Sequence, residues 1–114
     1  MKDKDKRRHP RITERLPVEI GCKYAVIKTE TKNISCSGAY CHVDRAIPVM
    51  SKVRVSMAIP TIKEDKIVSK NVSCEGVVLR YDGNNTAIMF TKISKKDKDT
   101  LAGYVKARLA LVAL

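Results

Sequence analysis

The chain has 114 residues, of which 44% are hydrophobic and 31% are charged, and a formal net charge of +11. This length predicts one domain, since domains usually hold roughly 100–200 residues, and no apolar run approaches the roughly 20 residues that span a bilayer. No apolar stretch follows the basic N-terminus, which argues against a secretory signal and predicts a cytoplasmic protein.

Positive charge is concentrated at the start of the chain. Residues 1–15 hold seven Lys and Arg against three acidic residues, whereas the much longer segment 16–93 holds eleven against seven. We expect residues 1–14 to form a flexible arm that buries almost nothing. A basic arm on a mildly basic domain indicates an anionic partner such as nucleic acid, a nucleotide or a membrane surface, or else it is a solubilising tail.

The segment 15–93 alternates short apolar stretches with turn residues, as strands do. The predicted strands lie at 16–20, around 24–26, and at 29–34, 39–43, 53–57, 67–81 and 86–91. Small residues at 35–38 predict a turn or bulge, 61–66 a solvated loop, and 82–85 a tight hairpin turn. Six or seven short strands favour a small antiparallel barrel, because closure removes exposed edges.

A terminal amphipathic helix is predicted over residues 94–114. Ser94 can cap it, with Asp97 as capping-box partner, and apolar residues follow at helical spacing. The fold class is therefore mainly β: a barrel of six or seven strands, a C-terminal helix and a basic N-terminal arm, all in one domain without an attached output module.

The sequence offers little for metal binding or catalysis. Its four cysteines are Cys22, Cys36, Cys41 and Cys74, and no pair has the Cys-x-x-Cys spacing of zinc ribbons and redox motifs. We expect them to be small, partly buried apolar residues in a reducing compartment. No nucleophile elbow, zinc-protease motif or phosphate loop occurs. The sequence therefore predicts no catalytic residue, no metal site, no cofactor and no enzyme activity.

Two short motifs remain. The first is Arg7-Arg8-His9-Pro10-Arg11, an Arg-x-x-x-Arg pattern with an extra arginine inside it, and the second is Asn33-Ile34-Ser35-Cys36-Ser37-Gly38, an Asn-x-Ser-x-x-Gly pattern. In this order, and followed by a small β domain with a terminal helix, they resemble the PilZ domain family of cyclic di-GMP receptors. The resemblance extends from about Arg7 to Leu109. A second register, Arg11-x-x-x-Arg15, also fits, but the first is preferred because the family's arginines precede the strand that begins at Leu16.

The resemblance implies a binding site for cyclic di-GMP made of Arg7, Arg8, Arg11, Asn33, Ser35 and Gly38. Arginine guanidinium groups suit both the phosphates and the N7/O6 edge of guanine. The Asn33 side-chain oxygen can accept a hydrogen bond from a guanine N–H, and the Ser35 hydroxyl can donate or accept one. Gly38 is expected to allow a positive φ and close approach of the ligand to the backbone.

On this interpretation the arm becomes ordered over the ligand, and the altered surface signals to a protein partner. For the family, that partner belongs to motility, exopolysaccharide or other signalling machinery, and no membrane insertion is expected. One alternative is a small basic barrel that binds nucleic acid, against which the four Tyr, one Phe and no Trp count. The other is a PilZ-like adaptor that does not bind the nucleotide.

Overall fold

Six strands and one helix follow one another in the computed structural model, which describes residues 10–23 and 25–113, and side chains as far as residue 111. They are β1 (Pro17–Cys22), β2 (Ala25–Ile34), β3 (Gly38–His42), β4 (Lys52–Lys63), β5 (Lys66–Asp82), β6 (Asn85–Ile93) and α1 (Lys95–Ala113). All strand pairs are antiparallel and the sheet closes in the order β1-β2-β3-β6-β5-β4. The predicted small β barrel with a C-terminal helix is confirmed.

Alternation of apolar side chains produces the strands, because successive residues of a strand point to opposite faces. In β4, for example, Val53, Val55, Met57 and Ile59 are all buried, and the residues between them are not. The two pieces predicted around 24–26 and at 29–34 belong to one strand, β2, which pairs with β1 from Pro17↔Glu30 to Cys22↔Ala25. The hairpin turn predicted at 82–85 is confirmed, with Gly83 at φ 60°.

The hairpin between β4 and β5 is longer than the sequence suggested, and the solvated loop predicted at 61–66 is wrong. β4 continues through Pro60 to Lys63, and only Glu64 and Asp65 form the turn, at φ 52° and 62°. A two-residue turn of this kind needs positive φ at both residues, which Gly and Asn adopt most readily. A Glu-Asp pair is therefore not a recognisable sequence signal for such a turn. Pro60 is tolerated because β4 pairs with β1 only over residues 54–57, and farther along with β5 alone.

Helix α1 lies against β4 and β5 and closes the core on that side, with Leu101 and Val105 buried. Ser94 caps it as predicted, since its Oγ accepts the backbone N–H of Asp97 at 3.1 Å. The Asp97 carboxylate is not the predicted capping-box partner but accepts the backbone N–H of Ser73, at 3.2 Å, and so attaches the helix to β5. Within the described residues no helix meets the length and hydropathy needed to cross a membrane.

The last residues of the basic arm are attached to the barrel. Ile12 is only 5% exposed and belongs to the core, and it forms a β-bridge with Ile34 in which each backbone N–H donates to the other's carbonyl at 2.9 Å. The prediction that residues 1–14 bury almost nothing is therefore wrong at Ile12. Its apolar side chain gains from burial in the core, although its neighbours in the arm are charged or polar. Residues 1–9 of the arm lie outside the described residues.

Candidate functional site

The attachment of Ile12 brings Arg11, the last residue of the first motif, next to the second motif. Arg11 directly precedes Ile12 and is exposed, while Asn33 and Ser35 flank its bridge partner Ile34. Antiparallel pairing sets Arg11 across from Ser35. A second attachment follows, because Thr31 Oγ1 accepts the N–H of Leu16 at 2.9 Å and donates to the carbonyl of Glu14. The arm therefore runs along the end of β2 at the second motif, whereas Arg7 and Arg8 lie outside the described residues.

The Ser35–Gly38 segment forms a tight turn from β2 to β3. The N–H of Ser35 donates to the carbonyl of Gly38 at 2.9 Å, and the N–H of Ser37 donates to Ser35 Oγ at 3.2 Å. Ser35 Oγ also lies 3.3 Å from Ser37 Oγ and 3.4 Å from the Gly38 carbonyl. Ser35 is 4% exposed, so its hydroxyl holds the turn in shape in addition to any role toward a ligand.

Gly38 has a different physical role from the one predicted. Among the described glycines only Gly83 has a positive φ, so the expected left-handed backbone at Gly38 is wrong. A Cβ at Gly38 would instead lie 2.5 Å from the carbonyl oxygen of Ile88 in β6. The glycine is required because β3 and β6 approach each other closely here, and this contact between distant segments could not be inferred from the local sequence.

A row of residues on the outer face of the sheet leads from Asn33 across four strands, and one of them, Ala87, is covered to 6% exposure by its neighbours. Asn33 pairs with Tyr40, Tyr40 with Ala87, and Ala87 with Arg80. Directly paired residues share a face of the sheet, and the adjacent row, made of Ile34, Ala39, Ile88 and Val78, is buried in the core. The four strands therefore present one outer surface, which we call the Asn33–Arg80 row. It spans about 14 Å at roughly 4.8 Å per strand.

The far end of this row is held by a charged cluster. Arg80 Nε donates to Asp82 Oδ2 at 2.7 Å, the Tyr40 hydroxyl donates to the same oxygen at 3.3 Å, and the Arg80 guanidinium lies 5.7 Å from the centroid of the Tyr40 ring. The hydrogen bond from Arg80 lowers the pKa of the Asp82 carboxyl. Tyr40 and Arg80 were not among the predicted site residues. Alternation along the strands could have identified Tyr40, because a tight turn between β2 and β3 pairs it with Asn33 and so puts both side chains on one face of the sheet.

The buried cysteines are unsuited to redox or metal chemistry. Burial raises the pKa of Cys41 and of Cys74 to about 12, and for Cys74 the nearby Asp97 carboxylate adds to the effect. Such thiols stay protonated at neutral pH, whereas the thiolate is the reactive and metal-binding form. Among residues 10–23 and 25–113, no group of three or more His, Cys, Asp or Glu is arranged to hold a metal ion.

Comparisons with known proteins agree with the fold. The sequence model of the PilZ domain matches residues 5–107. Inhibitor of motility MotI/DgrA from Bacillus subtilis has a similar structure, with a TM-score of 0.81 and 21% sequence identity over 94% of this chain and 53% of that one. The PilZ domain of CeSA from a cellulose-synthesizing bacterium has a TM-score of 0.61 and 14% identity over 88% of this chain and 98% of that one.

The chain therefore spans about half the length of MotI/DgrA, and at these identities the two structures show a shared fold. No curated protein sequence matches the chain.

Proposed function

Because the chain belongs to the PilZ domain family, we propose that it is a receptor for cyclic di-GMP. The ligand is held between the arginines of the N-terminal arm and the outer surface of the barrel at Asn33. It acts as a binding module rather than an enzyme, and it signals in the cytoplasm to a protein partner.

The observation that supports this proposal best is the bridge between Ile12 and Ile34. Arg11 directly precedes Ile12, and Asn33 directly precedes Ile34. The bridge therefore holds Arg11 beside the end of the strand that carries Asn33. Arg8 and Arg7 are four and five residues from Ile12, and an extended chain spans at most about 3.6 Å per residue. The Cα atoms of Arg8 and Arg7 are thus tethered within about 14 Å and about 18 Å of the Cα of Ile12, which is a short enough tether for a ligand on the barrel surface.

The residues on this surface match the chemistry of the ligand. Cyclic di-GMP has two phosphates and two guanines, and guanidinium groups form paired, charge-assisted hydrogen bonds with phosphates and with the N7/O6 edge of guanine. The Asn33 oxygen accepts from a guanine N–H. Tyr40 offers a ring face on which a base can stack, and Arg80 is held beside it by Asp82. In this proposal Ser35 and Gly38 contribute mainly by shaping the turn.

Binding titrations of the wild-type chain and of single variants test this proposal. The Arg11→Ala variant is expected to bind cyclic di-GMP roughly tenfold to a hundredfold more weakly, since a hydrogen bond to a charged group contributes about 1.5–3 kcal/mol. Arg7→Ala should behave in the same way. Arg15→Ala is the matched control: it also removes an exposed arginine of the same segment, and it should bind normally.

The outcomes separate the alternatives. Loss of affinity in Arg15→Ala but not in Arg7→Ala would establish the second register of the arginine motif. Preference for a single-stranded oligonucleotide over cyclic di-GMP would replace the proposal by nucleic-acid binding. Equal binding of GTP or cyclic AMP, or no binding at all, would refute it, and no binding would leave an adaptor domain.

We further propose that the ligand acts by ordering the arm. Neutralisation of the arginines by the phosphates allows the arm to close over the ligand, and the free energy of ordering is spent when the ligand binds. The partner then recognises the altered surface. The similar Bacillus subtilis protein is named an inhibitor of motility, which supports a component of motility machinery as one class of partner, beside exopolysaccharide and other signalling machinery.

A further inference from the structure

A groove lies between the far end of the β4–β5 hairpin and helix α1. Its volume is about 620 Å³, and Ile62 and Ile67 of the hairpin form one wall, while Gly103, Ala107 and Leu111 of the helix form the other. The three helix residues are spaced four apart and so lie along one line of the helix. The groove is separate from the Asn33–Arg80 row, since none of its lining residues belongs to that row.

The apolar walls of the groove are strongly exposed. Ile62 and Ile67 are directly paired across the hairpin and are 79% and 80% exposed, and Leu111 opposite them is 59% exposed. Gly103 and Ala107 are exposed as well, and because glycine has no side chain and alanine only a methyl group, the backbone of the helix is accessible from the groove. Apolar side chains clustered around a concave surface mark interaction sites, in contrast to apolar residues scattered singly. We propose that this groove binds an amphipathic helix of the partner protein, with acidic residues beside its apolar face.

The charges around the groove argue for an acidic occupant. The carboxylates next to it are already engaged: Glu14 with Arg108, Asp99 with Lys95, and Asp97 with the backbone of β5. Lys70 of the hairpin lines the groove, and neither it nor Lys63 and Lys66 at the hairpin end has a carboxylate partner among the described residues. Helix α1 holds five basic residues against two acidic ones, and three lysines are left once the pairs of Lys95 and Arg108 are set aside. The two acids of the turn, at 64 and 65, only partly offset this surplus.

The same features argue against two other occupants. A symmetric dimer built on this groove would bring the same net-positive patch of both copies together, and the like charges would repel. A bilayer surface could reach the projecting isoleucines, but not Gly103 and Ala107 on the low side of a concave groove. A single helix with leucine-like side chains fits between the walls, and its flanking carboxylates meet the lysines.

The groove also contacts the arm. Glu14, two residues after Ile12, lines its edge and accepts the Tyr104 hydroxyl at 3.1 Å, Arg108 Nε at 3.0 Å and Arg108 Nη2 at 2.8 Å. Burial raises the pKa of Tyr104, and so does its hydrogen bond to Glu14. A ligand held by Arg11 would therefore be connected to one edge of the groove through the two residues of chain between Arg11 and Glu14. This coupling rests on the proposed receptor function, and it is reciprocal, because a ligand that changes partner affinity has its own affinity changed by the same factor.

The test uses two variants at one position. A Cβ at Gly103 would meet no atom within 4 Å, so Gly103→Leu begins its side chain in open space at the groove and improves helix propensity. Gly103→Ala is the matched control, since it makes the same gain in propensity but leaves the groove open. A charge pair completes the set: Lys70→Glu at the rim, and Lys28→Glu on β2 as the control away from the groove.

The probe is a synthetic amphipathic helix with leucines on one face and glutamates beside them, compared with the same peptide carrying lysines for the glutamates. Backbone amide shifts of the whole chain are titrated without nucleotide. The glutamate peptide should shift residues of the groove and bind about tenfold more weakly to Gly103→Leu and Lys70→Glu, while both controls bind normally. Equal binding of the two peptides, shifts elsewhere, or full affinity in Gly103→Leu would overturn the proposal.

Further measurements separate the remaining outcomes. If sedimentation shows dimers, or anionic phosphatidylglycerol vesicles bind, and Gly103→Leu abolishes either, the occupant is a second copy or a membrane and the proposal is wrong. Gly103→Leu should bind cyclic di-GMP like the wild type. If the chain binds the peptide but no cyclic di-GMP, the receptor function is rejected and the docking site stands. If it binds cyclic di-GMP but not the peptide, the docking site alone is rejected.

Discussion

Replacement of Gly38 by alanine should destabilise the barrel severely, although it adds only one methyl group. The new Cβ would lie 2.5 Å from the carbonyl oxygen of Ile88, whereas ordinary contacts begin near 3.4 Å. The obstacle is backbone rather than a flexible side chain, so β3 and β6 must separate by almost 1 Å. The hydrogen bond from the N–H of Phe90 to the carbonyl of Ser37, 2.9 Å long, lies beside this point and would exceed hydrogen-bond distance after that shift.

The magnitude follows from these contacts. Overpacking of a rigid site costs about 3 kcal/mol at the upper end of its usual range, and a lost backbone hydrogen bond adds about 1 kcal/mol. Alanine recovers about 0.5–1 kcal/mol, because it loses less conformational freedom on folding than glycine does. We therefore expect Gly38→Ala to lower the free energy of unfolding by about 3 kcal/mol.

Gly21 in β1 provides the matched control. A Cβ there would lie 3.8 Å from the Arg54 carbonyl oxygen, an ordinary contact, and the φ of Gly21 is not positive. Gly21→Ala should therefore leave stability unchanged or raise it by up to about 1 kcal/mol. Urea denaturation of both variants, with the slopes compared as a check on two-state unfolding, measures the difference. If Gly38→Ala unfolds at the same urea concentration as Gly21→Ala, the close approach of β3 and β6 is not the reason for the glycine.

Three further predictions concern the contacts of the arm, the buried thiols and the site. Glu14→Gln removes the ion pair with Arg108 and should lower the free energy of unfolding by about 1 kcal/mol, a modest loss because the pair is partly exposed. A double-mutant cycle with Arg108→Gln checks this, and additive effects of the two substitutions would contradict it. Burial raises the pKa of Cys41 and Cys74 from 9.0 to about 12, so both should resist iodoacetamide at pH 8, as read by mass spectrometry. In the unfolded chain the same thiols lose their protons at lower pH than in the folded protein, so the free energy of unfolding should fall as pH rises from about 9 to about 12. A urea midpoint that stays constant over that range would contradict this prediction. Asn33→Ala should weaken cyclic di-GMP binding about tenfold in calorimetry, and unchanged affinity would remove this side chain from the site.

The strands and the terminal helix could be predicted because their signals are local. Alternation in Val53, Val55 and Met57 is sufficient to define a half-buried strand, and Ser94 announces the start of the helix. The turn at Glu64 and Asp65 could not be predicted, since its positive φ values are imposed on residues that do not favour them. The burial of Ile12 was also missed, because a single apolar residue among charged ones has no periodicity.

The candidate site was predicted only in part, for the same reason. The Arg-x-x-x-Arg and Asn-x-Ser-x-x-Gly motifs were visible, but the proximity of Arg11 to the second motif depends on the bridge between Ile12 and Ile34, which joins positions distant in sequence. The role of Gly38 depends on Ile88, which is fifty residues farther along. Contacts of this kind are set by sheet register, and register emerges from all the strands together.

The projecting end of the β4–β5 hairpin has a consequence for local unfolding. Beyond residue 57 in β4, and before residue 74 in β5, the two strands pair only with each other in the described part of the chain. An isolated two-stranded hairpin is marginally stable, and a helix in a protein owes most of its stability to the packing of its apolar face. Each therefore depends on the other for its protection, and the hairpin end and α1 should open as one foldon. Amide exchange in both should be correspondingly faster than in the enclosed strand β6.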